Sequence, residues 1–162
     1  MDRFLLIILC CCFFSIIQAQ TSQNVAPTPG NSEDTILPKA FIIGEYEKQF
    51  ETLNIEHSTM LLAVCDNDMN LAFSKWLSML KEMEAYADVI GYDLKSLKLW
   101  LNVFWEKEGK IKHIAYYPKP GSRNVNLEEL SAFFSSFMNH YTFPLVAEVD
   151  YSHYGSASFP TF

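Results

Sequence analysis

The chain has 162 residues, 49% of them hydrophobic and 15% aromatic, and a formal charge of −7. That is enough apolar material for one packed domain with a short appendage. Its 12 basic residues form no patch, which excludes a nucleic-acid binder that displaces counterions from a phosphate backbone.

The N-terminus reads as an export signal. Arg3 precedes an apolar run from Phe4 to Ile17, and Gln18-Ala19-Gln20 follows. Such a run is short of the ~20 residues a membrane span needs and fits a signal-peptide core. Residues 1–19 are therefore expected to be a signal peptide cleaved after Ala19, with no membrane span in the mature chain. An uncleaved anchor is one alternative. A lipoprotein acylated at Cys12, with Leu9 and Cys11 before it, is another. Either way the protein is exported, to the periplasm or beyond the cell. Cleavage after Ala19 leaves Cys65 alone of the 4 cysteines, so no intramolecular disulfide can form.

Residues 20–38 read as a flexible polar spacer, rich in Thr, Ser, Asn, Pro and Gly, and residues 39–162 as a single domain. Within the domain, Glu45 to Leu53 suits a short helix with Tyr46, Phe50 and Leu53 on one side. Thr59 to Val64 is a short apolar run, expected as a buried strand. Asp66-Asn67-Asp68 then opens a long helical pattern. Phe73, Trp76, Leu80, Met83, Ala87 and Ile90 step along it by three and four, and Gly91 ends it.

Leu97, Leu99, Leu101, Val103 and Trp105 recur every second residue, the mark of a strand with one buried face. Glu106-Lys107-Glu108-Gly109 makes a turn whose last residue suits positive φ. A second run follows with Ile111, His113, Ala115 and Tyr117 on one side. After an irregular loop at Pro118-Lys119-Pro120-Gly121, Asn126 is a good N-cap for a second long helix. Glu129 is placed to reach back to the Asn126 backbone, and Val125 and Leu130 occupy hydrophobic-staple positions. Leu127, Leu130, Phe134, Phe137 and Tyr141 make its apolar face. Leu145 to Tyr154 is expected as the closing strand, carrying Glu148 and Asp150, charges that discourage uncontrolled edge pairing.

The order strand-helix-strand-strand-helix-strand predicts an α+β fold: a small, mostly antiparallel sheet with two helices packed on one face. The hairpin resembles the C-terminal domain of TonB-type energy transducers. The residues that carry the likeness are Leu99, Leu101, Val103 and Trp105, then Glu108-Gly109, then Ile111 and Ile114. Residues 123–159 continue that plan through Leu127, Leu130, Pro144 and Val149. The resemblance implies the fold of that domain and a role in binding other proteins.

Several side chains invite a chemical role. Cys65 with His113 suggests a thiol nucleophile and base, against the reading of a lone cysteine as a small core residue. Asp66-x-Asp68-x-Asn70 resembles the start of a calcium loop. However, Leu71 stands at the sixth position, where glycine is needed, and Leu77 at the twelfth, where Glu belongs. Capping by Asp66 or Asp68 explains these acids better. His57, His113, His140 and His153 lack metal-ligand spacing, and no cofactor is implied. Trp76 and Trp105 fall on apolar faces. Trp100 and Phe104 lie on the strand face opposite Leu99 and Val103. If the helices cover only the latter, then Trp100, Phe104 and Tyr116 are exposed together as a binding surface; a two-sided core is the competing arrangement.

The leading expectation is an exported, non-enzymatic interaction module. It would bind a protein partner, an envelope protein or a second copy, through a sheet edge or the aromatic surface. The alternatives are a small exported hydrolase using Cys65 or an Asp/His pair, and a surface protein that binds glycans.

Overall fold

The computed structural model describes residues 36–161 apart from 124, so the expected signal peptide, Cys12 and most of the spacer lie outside the described residues. The fold is α+β, with a five-stranded mixed sheet and four helices. In chain order these are β1 (Ala40–Ile42), α1 (Glu47–Glu56), β2 (Thr59–Met60), α2 (Leu61–Val64) and α3 (Met69–Ile90). They continue with β3 (Lys98–Trp105), β4 (Ile111–Pro118), α4 (Leu127–His140) and β5 (Tyr151–Ser158). The sheet order is β1-β4-β3-β5-β2. Its three long strands pair antiparallel, and the two short outer strands, β1 and β2, pair parallel to β4 and β5. The mostly antiparallel sheet expected from the sequence is thus a mixed one. Among the described residues no helix is long and apolar enough to cross a membrane.

Period two in β3 does what it predicts. Leu97, Leu99, Leu101, Val103 and Trp105 all enter one core with α3 and α4. In α3 the buried residues are Ala72, Trp76, Met79, Leu80, Met83 and Ala87, whereas Phe73 and Ile90 face outward. The expected stripe therefore holds at Trp76, Leu80, Met83 and Ala87 and fails only at its two ends, with Ala72 and Met79 completing the buried face. Asp68 caps this helix, accepting the N–H groups of Asn70 at 2.8 Å and Leu71 at 3.1 Å. Asn126 caps α4 in the same way through Glu128 N and Glu129 N. The reciprocal bond from Glu129 back to Asn126 does not form among the described residues. Asn126→Ala should still cost about 0.5–2 kcal/mol, read as a lower denaturation midpoint with faster hydrogen exchange in the first turn of α4.

Three boundaries differ from expectation. The run Thr59 to Val64 is a strand only at Thr59–Met60 and then coils into α2. The closing strand begins at Tyr151, so Glu148 and Asp150 precede it and β5 itself carries no Asp, Glu, Lys or Arg. In the hairpin the register shifts between Phe104 and Trp105, pairing Phe104 with His113 and Trp105 with Ile111. One extra residue, Lys112, flips the phase of β4, because side chains alternate strictly across a strand. Ile111 and Ile114 therefore share the main core, and Ala115 belongs to the other face.

That other face carries a second, smaller core. Leu53 of α1 packs with Phe41, Phe104 and Ala115, flanked by Tyr46 and Phe50. The expected pair of helices does lie on one face, but α1 covers part of the opposite one.

Candidate functional site

Residues directly opposite across an antiparallel pair point to the same face. Trp100 stands opposite Tyr117 on β4, and Phe104 opposite His113. On β5, Ser156 pairs with Trp100 and Tyr154 with Asn102. One face therefore carries Trp100, Asn102, Phe104, Tyr117, Tyr154 and Ser156. α1 covers it at Phe104, where the Phe50 and His57 rings pack edge-on at 6.1 and 5.4 Å. Beyond α1 the face is open. There Trp100 is 37%, Tyr117 51% and Tyr154 50% exposed.

The structure thus separates the three residues expected to form a binding surface. Trp100 is exposed. Phe104 is fully buried in the second core. Tyr116 is buried on the opposite face, where its hydroxyl donates to Leu127 O at 2.9 Å and lies 2.6 Å from Ser131 Oγ. Burial pushes the Tyr116 hydroxyl above its ordinary pKa. The neighbours of Trp100 on the exposed face are instead Tyr117 and Tyr154. The odd spacing from Ile111 to Ile114 was the available signal: two apolar residues three apart in one strand imply a bulge and a change of phase.

The exposed aromatics are ordered. Trp100 stacks on Tyr154 with ring centroids 5.6 Å apart and planes 16° apart. Lys119 Nζ lies 4.1 Å from the Trp100 ring centroid and donates to Ser156 Oγ at 2.9 Å. An ammonium over an indole face is attracted by the ring quadrupole.

Compared with family models, curated proteins and solved structures, the chain matches none.

The catalytic candidates are not assembled. Cys65 is buried in the main core, and burial raises its thiol pKa. His113 lies against Phe41 in the second core, on the far side of the sheet, with Nδ1 2.9 Å from Pro38 O. Desolvation lowers the pKa of that ring. An Asp/His pair does form elsewhere: His57 Nε2 lies 3.8 Å from Asp150 Oδ2. The His57 ring is fully buried, with Nδ1 3.0 Å from Leu53 O. Ser152 Oγ, close by, donates to the His57 backbone carbonyl at 2.9 Å and so ties β5 to the end of α1. His153 packs on Trp76 at 4.6 Å and is likewise held below its ordinary pKa by burial.

One further feature concerns the sheet edge. β2 covers β5 only at Tyr151 and Ser152. From His153 to Ser158, β5 has β3 on one side and no strand on the other among the described residues.

Proposed function

We propose that this protein is an exported, non-enzymatic interaction module with a TonB C-terminal-like fold, and that it binds another protein through the open aromatic face of its sheet. The observation that carries the reading is the ordered cluster of Trp100, Tyr117 and Tyr154 with Lys119, left uncovered beside α1. Tryptophan and tyrosine side chains are the composition that anchors protein interfaces, where large rigid rings bury area at little entropic cost. The succession β2, α2, α3, β3, β4, α4, β5, in which α2 is a single added turn, supports the fold likeness, and the apolar run before residue 20 supports export.

The test is capture of partners from envelope extracts by the native chain and by a Trp100→Ser, Tyr154→Ser variant. The variant should lose the captured protein while remaining folded, its stability falling by the aromatic pair's ~1 kcal/mol plus the part of each ring that is buried. Undiminished capture by a folded variant would remove the aromatic face from the reading.

A further inference from the structure

The open part of the sheet carries a pair of lysines beside its rings. Lys98 stands two residues before Trp100 on β3 and so shares its face, opposite Ser158 of β5. Leu99 pairs with Pro118, so one further step puts Lys119 opposite Lys98, and the Lys119 N–H donates to Lys98 O at 2.8 Å. Like charges directly opposite across a strand pair repel. Lys98 is exposed and Lys119 half-buried. The groups that hold Lys119 Nζ, the Trp100 ring and Ser156 Oγ, are both neutral. The ion pairs among the described residues join His57 to Asp150, Lys107 to Glu108 and Lys112 to Glu56. In a chain of formal charge −7, this face thus holds two cations with no described carboxylate within ion-pair distance.

We propose that this face receives an acidic segment of the partner protein. Its carboxylates meet Lys98 and Lys119, and its apolar side chains lie against the rings of Trp100, Tyr117 and Tyr154. This deepens the reading of the chain as an interaction module and rests on it, adding the chemistry of what the aromatic face binds.

Three features favour that occupant. An arriving carboxylate relieves the repulsion between Lys98 and Lys119 as well as gaining their attraction, so the charge of the face is complementary to acid. Lys119 Nζ carries three N–H donors and gives one to Ser156 Oγ, which leaves donors for a carboxylate. The half-exposed rings of Tyr117 and Tyr154 add apolar area that a purely ionic ligand would leave in water. The size of the pair also matters. Surfaces that hold anionic lipid gather about four or more basic residues, and an extended polyanion would run past two lysines onto a chain that is negative overall. Two cations match a short acidic stretch.

The indole N–H signals of the nitrogen-15-labelled chain test this, because Trp100 is exposed whereas Trp76 and Trp105 are buried controls. The probes are a short peptide of Glu, Leu and Gly, the same peptide with Gln or Lys in place of Glu, and phosphatidylglycerol vesicles. The Glu peptide should shift the Trp100 signal, leave those of Trp76 and Trp105 in place, and bind more weakly as salt is added. The Gln and Lys peptides and the vesicles should leave Trp100 unmoved. Lys98→Glu should keep the native circular dichroism and weaken the Glu peptide by about tenfold or more, since repulsion replaces attraction. No shift with the Glu peptide at about 1 mM overturns the proposal, as does an equal shift with the Gln peptide. A shift with vesicles alone assigns the face to a lipid surface and overturns it too. Envelope-extract capture that depends on Trp100 and Tyr154 but ignores Lys98→Glu sinks the acidic partner and leaves the proposed function standing. A Lys98-dependent shift with capture indifferent to Trp100 and Tyr154 does the reverse.

Discussion

Phe104→Ala is expected to lower stability by about 3–5 kcal/mol, the usual cost of emptying a buried phenylalanine site. Phe104 is fully buried beneath α1, with the Phe50 and His57 rings edge-on against it. Its loss leaves Leu53, Phe41 and Ala115 around a hole that a two-layer contact this small cannot close by collapse. The same truncation at Trp100, two pairs along the same strand face, removes only a half-open stack and a cation above it. Melting curves of the two single variants separate core from surface on one strand. A similar small loss for both would mean that α1 does not cover Phe104.

Gly109→Ala is expected to be comparably disruptive, at about 3 kcal/mol or more, for two reasons that add. Gly109 has φ of 86°, in the region that strains any residue with a Cβ. A Cβ there would also run into the carbonyl oxygen of Phe143 and come within 2.9 Å of Leu145 O. Those are backbone atoms of a clamped segment. Phe143 N donates to Gly109 O and Ala147 N to Lys107 O, both at 2.8 Å, while Lys107 N donates to Asp150 Oδ1 at 2.9 Å. The tip of the hairpin thus holds residues 142–150 in place before β5 begins. The variant should melt well below the native chain, with exchange accelerated first in that segment. A native-like melting temperature would show that the segment yields easily.

What the sequence could show follows from how local each signal is. β3 was legible because Leu99, Leu101 and Val103 need only the period of a strand and one buried side. The starts of α3 and α4 were legible because Asp68 and Asn126 satisfy helix N–H groups two and three residues away. A cap is a local event, and no distant contact is required to form it.

The misplacements were equally physical. Thr59 to Val64 is apolar enough for either a strand or a helix, and pairing with β5 stops after Met60. The β4 bulge depends on how Trp105 meets Ile111 across the hairpin, which alternation within one strand does not express. Tyr116 and Tyr117 accordingly exchanged the faces expected for them, and with them the membership of the candidate surface.

By itself the sequence determined the α+β class, the alternating strand β3 and the caps of the two long helices. Only the tertiary structure decided that α1 covers Phe104 and leaves Trp100 open, that Cys65 and His113 stand on opposite sides of the sheet, and that β5 runs on past β2. The reason is one of range. Periodicity and capping are written within a few residues of chain, whereas coverage of a face and pairing of an edge depend on where segments far apart in the chain, such as α1 and β3 or β2 and β5, come to rest against each other.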